Sequence, residues 1–207
     1  MARYVFFSFA YDDVKNFKVN VVRNSWLLKN PEETFIDGSI WEKSKKKGDQ
    51  YLKRLIERGL NNTSVTAVLI GEDTANRRWV NYEIVKIFEK GNGILGIHIN
   101  RIKGRIGLTA RGLSPLERLG FQVAEDGKKI NFYELKNRSW TVFSDLPQIN
   151  NKKSNSIYFG NSWWNGNEYG DFFRFSDKFN TRCWDMDSGH DNFIGWIKDA
   201  ARQAGRI

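Results

Sequence analysis

A single cysteine, Cys183, in 207 residues excludes an internal disulfide and points to a reducing compartment. Only two histidines, His98 and His190, are present, and no Cys/His cluster accompanies them, so a zinc site is not expected. No apolar run is long enough for a membrane-spanning helix. The N-terminal VFFSFAY is too short for a signal core and runs straight into Asp12 and Asp13, so it reads as a buried strand of a cytoplasmic protein. Neither a GxxxxGK[ST] loop nor a GxGxxG following a strand occurs, which removes simple P-loop and dinucleotide-oxidoreductase readings. No internal repeat is visible.

What remains is an ordinary globular composition, 40% hydrophobic and 28% charged, in a chain long enough for one domain with a good core and an elaboration. Aromatics are abundant at 14%, with eight Trp, many of them in the second half. The net charge of +9 is compatible with nucleic acid, an acidic membrane surface or anionic metabolites as partners, and equally with plain solubility.

Along the chain, Arg3 to Phe9 predicts a buried strand. Asp12 or Asp13 offers an N-cap to an amphipathic helix with Val14, Phe17, Val21 and Leu28 inward, stopped at Pro31. Thr34 to Asp37 suggests a brief second strand. Asp49 can cap a helix through Leu52, Leu55 and Ile56 with its stop at Gly59. Ser64 to Ile70 is a continuous apolar, β-branched run. The next helix, capped by Asp73 or Thr74, carries Val80, Ile84, Ile87 and Phe88 as its core stripe and ends at Gly91; Ile94 to Ile99 follows as a strand. Arg101 to Arg118 reads as an exposed connection. Asp126-Gly127 is a turn signal before Ile130 to Leu135, which can pair with Trp140 to Phe143. Asn150 to Phe179 gives no assignable pattern. Asp191 can cap a last helix with Phe193, Ile194, Ile197 and Ala201 inward.

Strands apolar on both faces, alternating with amphipathic helices, imply a parallel sheet covered on both sides. Right-handed crossovers gather the strand-to-helix loops at the C-terminal edge, where open α/β folds bind ligands. Ser8 to Asp12, Asp37 to Trp41 and Gly71 to Trp79 should therefore share one rim. Trp79 and Glu83 lie at i and i+4, on one face of a helix. This pair can hold a ribose, or Glu83 can pair with Lys86 on the surface while Trp79 covers the sheet edge. Arg77 and Arg78 at the same helix start favour a phosphate nearby. No histidine is placed to activate Ser8 as a nucleophile.

FFSFAYDD (residues 6–13) and RRWVNYEI (residues 77–84) resemble two characteristic segments of TIR domains, the second bearing a catalytic glutamate four residues after a tryptophan. More narrowly, VNVVRNSW, IDGSIWE, LKRLIERGLNNTSVTAVLIG, NRRWVNYEI and EKGNGILGIHIN resemble the TIR-like B protein family of the bacterial Thoeris antiphage system. The likeness covers residues 1–100 closely and continues more thinly through DGKKINFYEL and the DLP at 145–147. It implies one TIR-like domain over residues 1–207 with a flavodoxin-like three-layer fold, in which 1–100 form the core and 101–207 an elaborated C-terminal part with a final helix. It further implies an NAD-processing enzyme that cleaves the nicotinamide–ribose bond and makes a cyclic ADP-ribose isomer. That product activates a separate effector, with a phage component as possible trigger and a homo-oligomer as active form. By motif match, Glu83 takes the catalytic role, and Ser8, Phe9, Asp37, Trp41 and Trp79 line the pocket. NAD is substrate, and neither metal nor further cofactor is implied.

The chemistry suits these residues. Nicotinamide leaves as a neutral base and needs no general acid, and a carboxylate can stabilise the oxocarbenium-like ribose. An aromatic wall that excludes water favours cyclisation over hydrolysis. A non-catalytic TIR adaptor acting through TIR–TIR assembly is the alternative; it has no chemical need for Glu83. A single-stranded nucleic-acid module would use the Trp-rich, basic second half, but its aromatics and cations are scattered.

Overall fold

The computed structural model describes residues 5–29, 35–37, 47–151 and 169–206, with only the backbone for 35–37. The first strand, β1 (Val5–Phe9), is buried at every position, as a strand covered on both faces must be. The chain then forms a short helix α1 (Tyr11–Lys15) and, after a break, α2 (Lys18–Lys29). Next come β2 (Phe35–Asp37), α3 (Asp49–Gly59), β3 (Val65–Ile70), a 3₁₀ turn at Thr74–Asn76, α4 (Arg78–Lys90) and β4 (Gly93–His98).

These strands pair in parallel, β1 with β2 and β3, and β3 with β4. A late strand, β10 (Thr181–Cys183), adds beside β4, giving the order β10-β4-β3-β1-β2. The order reverses direction at β1 and β3, which makes the crevice beyond their C-terminal ends the topological switch point. This is the expected α/β arrangement, with five parallel strands among the described residues.

Between β4 and β10 the chain builds a second, antiparallel sheet. Its strands are β5 (Leu119–Val123), β6 (Lys129–Lys136), β7 (Ser139–Val142), β8 (Gln148–Asn150) and β9 (Phe172–Arg174), preceded by the short helix α5 (Pro115–Arg118) and followed by α6 (Phe175–Lys178). Strand β5 lies between β6 and β9, and both β7 and β8 pair with β6. The pairing of Trp140 with Leu135 is that of the hairpin read from the sequence.

Two apolar clusters fill the interior. On one face of the parallel sheet, Phe7, Phe9, Val19, Val22 and Trp26 pack against Phe193, Trp196 and Ile197 of the final helix α7 (Gly189–Gln203). On the other, α3 and α4 cover the sheet, and the antiparallel sheet closes over α4. Phe88 is the hinge of that contact, with ring centroids 4.8 Å from Phe121, 5.7 Å from Phe132 and 5.3 Å from Phe175. Such aromatic contacts add about 0.5–1.5 kcal/mol each beyond area burial.

Three local expectations are corrected. The first helix is broken at Phe17, whose φ is +61°. The inward face of α2 is Lys18, Val19, Val22, Ser25 and Trp26, while Phe17, Val21 and Leu28 are 55%, 41% and 80% exposed. The break resets the helical phase, so spacing counted across it selects the wrong face. The residue at the N-cap of α1 is Ala10, with no side-chain cap, and Asp13 turns inward. Gly59 is the last residue of α3 rather than its stop, and Leu60 caps it. By contrast, Gly91 ends α4 in the left-handed conformation, φ +67°, which glycine adopts without a Cβ penalty.

Asp145 ties the two sheets together at the start of α4. Its carboxylate accepts from Arg78 Nε and Nη2, both at 2.7 Å, and lies 3.1 Å from Lys53 Nζ. The Arg78 fork holds its pKa below the usual carboxylate range, and the side chain is only 7% exposed. A depressed carboxyl pKa contributes stability above about pH 4, lost as pH falls through the folded-state value. Asp145→Ala should therefore cost about 2 kcal/mol at pH 7, with the gap to the parent narrowing below pH 3. Urea titrations at the two pH values measure this.

Candidate active site

Strand alternation sends successive side chains of β1 to opposite faces. Phe7 and Phe9 enter the cluster under α2 and α7, so Ser8 points the other way, toward α4. There its hydroxyl donates to Glu83 Oε2. Both residues are buried, Ser8 fully and Glu83 to 1% exposure. Glu83 therefore has no surface pairing with Lys86, which instead meets Glu57 at 3.2 Å and Glu89 at 2.5 Å. An ionisable carboxylate in the second turn of a helix, turned onto a sheet, carries a desolvation cost. A core stripe would place an apolar residue there.

The other residues expected at the pocket divide. Phe9 is 6% exposed and packs on the face opposite Ser8; strand alternation, which the one-dimensional motif conceals, removes it from the Glu83 side. Asp37 ends β2, with its Cα opposite that of Phe7. Trp41 lies outside the described residues. Trp79 is half-buried, 6.0 Å edge-on from Tyr82 and under the Arg78 guanidinium at 4.6 Å. The two arginines expected to attract phosphate are engaged by carboxylates. Arg77 meets Asp12 at 2.9 Å and Asp73 at 3.0 Å, and Arg78 meets Asp49 and Asp145, each at 2.7 Å.

The sequence reading missed the far side of the crevice. Gly71, just past β3, faces the Asp13 carboxylate so closely that a Cβ would lie 2.1 Å from Asp13 Oδ2. Asp13 is 6% exposed, and burial pushes its pKa up to about 6, against the opposing pull of Lys18. Lys18 is itself fully buried and donates to the Asn100 carbonyl and to Thr109 Oγ1, both at 2.9 Å. It thereby fastens the segment after β4 across the rim. His98, at the end of β4, is also buried, and burial lowers its pKa. The signal for Asp13 was present in the acidic pair after β1, where it was read as a helix cap.

A parallel α/β sheet with a buried Ser–Glu pair at the switch-point crevice defines the chain as a TIR-like domain protein. The model for the family described as Thoeris protein ThsB, TIR-like domain, matches residues 6–103. The chain is also similar to "Putative cyclic ADP-D-ribose synthase ThsB1" of Bacillus cereus (strain MSX-D12), 44% identical over 202 residues, covering 95% of this chain and all of that one. It belongs to the Thoeris ThsB TIR-like family.

Gly71→Ala should destabilise the protein by about 2–3 kcal/mol, because the new methyl meets a carboxylate at sub-contact distance. In thermal melts, Gly71→Ala combined with Asp13→Gly should regain most of that loss, while the same substitution at Gly48, which has open space, gives no steric rescue by Asp13→Gly.

Proposed function

We propose that this chain processes NAD, breaking the nicotinamide–ribose bond and closing the remainder into a cyclic ADP-ribose isomer that acts as an antiphage signal. The observation that carries the reading is the buried Glu83 carboxylate held by the Ser8 hydroxyl at the C-terminal end of β1. A carboxylate there can bind ribose hydroxyls and stabilise the positive charge that develops as nicotinamide leaves. The Ser8 bond fixes its direction, so little reorganisation is required during the reaction. The relative's name, a cyclic ADP-D-ribose synthase, supports the same chemistry. A TIR adaptor working through assembly alone would not need to bury this carboxylate.

Within this reading, Ser8, Glu83, Asp37, Trp41 and Trp79 are the proposed pocket residues, and NAD is substrate without a further cofactor. The cyclic product diffuses to a separate effector of the same defence system, and a phage component triggers synthesis. The active form is a homo-oligomer in which a neighbour completes the pocket, and it works in the cytoplasm. Among the described residues no helix is long and apolar enough to cross a membrane.

Glu83→Gln keeps shape and removes charge. It should lower nicotinamide release by at least about a hundredfold while the melting temperature stays within a few degrees of the parent. Chromatography of nicotinamide from NAD measures it; parental turnover in the variant would remove Glu83 from the reaction. Specific activity should rise with protein concentration across the monomer–oligomer range, read by the same assay alongside light scattering. A constant value would argue that each protomer holds a complete site.

A further inference from the structure

The switch-point crevice holds a second buried carboxylate. Asp13 accepts no hydrogen bond from any described residue, although a carboxylate offers about four acceptor positions. It lies flat against Gly71, three residues beyond Val68, the register partner of Ser8. That puts it about 10 Å farther along the strands than the Ser8–Glu83 pair. The Asp13 oxygens still reach solvent at the rim, where hydroxyls of a ligand can take the place of water.

The segment that runs past Gly71 is held loosely. The strap from Asn100 to Ser114 crosses the rim, with Gly112 close against the Gly71 carbonyl. It is tied by the two Lys18 bonds, by Arg105 N–H to the Asn16 carbonyl at 3.1 Å, and by Thr109 N–H to the Asn100 carbonyl at 3.1 Å. No residue from 103 to 113 is buried, and Ile106, Leu108 and Leu113 are each more than 60% exposed. A segment with so little buried surface opens at low cost.

We propose that Asp13 receives hydroxyls of the adenosine-side ribose of NAD and takes the proton from the one that closes the ring. The inference rests on the NAD reading above and adds a second catalytic residue to it. The bond between the anomeric carbon and the nicotinamide nitrogen breaks, and nicotinamide leaves neutral with the electron pair. The ribose hydroxyl oxygen then bonds to that carbon, and its proton passes to the Asp13 carboxylate and later to solvent. Closure through a ring nitrogen of adenine would need no such base. The charged groups facing Asp13 are Lys18 from α2, Asp12 from α1, Glu72 after β3 and Arg77 before α4. Their opposing signs, with burial, leave Asp13 titrating near pH 6, suited to a base that must accept a proton and return it.

Two experiments test this. In the first, isothermal titration of NAD into Glu83→Gln is compared with Glu83→Gln/Asp13→Asn; affinity should fall about tenfold, the loss of a hydrogen bond to a charged acceptor. Equal affinities, or no NAD binding by either protein, overturn the proposal whatever the fate of the Glu83 reading. In the second, products are resolved by mass across pH 5–8. In the parent, the cyclic fraction should rise through pH 6. In Asp13→Asn it should drop at least about a hundredfold without that rise, nicotinamide release falling less as linear ADP-ribose takes over. A parental cyclic fraction that is flat with pH, or an unchanged ratio in the variant, overturns it. The raised pKa makes the charged form unfavourable to folding above about pH 6, so Asp13→Asn should melt no lower than the parent at pH 8. A marked fall there, shared by Asp13→Ser, would make Asp13 structural instead.

Discussion

The hydrogen bond from Ser8 to Glu83 constrains everything around it. A carboxylate 1% exposed is tolerable only where its direction is fixed and its surroundings cannot collapse onto it. Both partners sit on regular elements, the strand β1 between β3 and β2 and the helix α4. Ser8 is polar in a strand otherwise of Val and Phe, and Glu83 stands among Val80, Ile84 and Ile87. Local apolar patterning is broken at these two positions, and the fold brings the two breaks together.

Holding α4 in place falls to the antiparallel sheet. Phe88 packs among Phe121, Phe132 and Phe175 at one end of the helix. Asp145 grips Arg78 at the other. The first contact is apolar and sets distance; the second is a bidentate ion pair and sets rotation. A rotation of α4 by even a fraction of a turn would carry Glu83 away from Ser8. The second half of the chain thus positions the carboxylate without supplying a described residue to the Ser8–Glu83 pair. The opposite face is closed by Phe193, with ring centroids 5.6 Å from Trp26 and 6.1 Å from Phe7, which fixes β1 from behind.

Much of this was legible in the sequence, for local reasons. The continuous apolar runs at Val65–Ile70 and around Ile94, the stripe of α4 with Gly91 at its end, and the hairpin after Asp126-Gly127 all obey short-range rules. The Trp79–Glu83 spacing pointed to α4, the helix whose Glu83 meets Ser8. What misled was also local. Phe17 interrupts the first helix with a positive φ, and no periodicity counted through it could find the buried face. Phe9 belonged to a recognisable motif, yet alternation alone sends it to the other side of the sheet from Ser8.

Sequence by itself determined β1 to β4, the β6–β7 hairpin, the longer helices and the family, because those depend on neighbours a few residues apart and on motifs that survive as strings, whereas β5, β8, β9 and β10 left no such trace. Only the tertiary structure decided which polar residues meet. Ser8 and Glu83 are 75 positions apart, and Lys18 reaches Asn100 and Thr109 across 82 and 91. Asp13 comes to rest on Gly71 rather than capping a helix. Such meetings follow from strand order and register, which place residues remote in sequence on adjacent strands and leave no periodic trace in either segment.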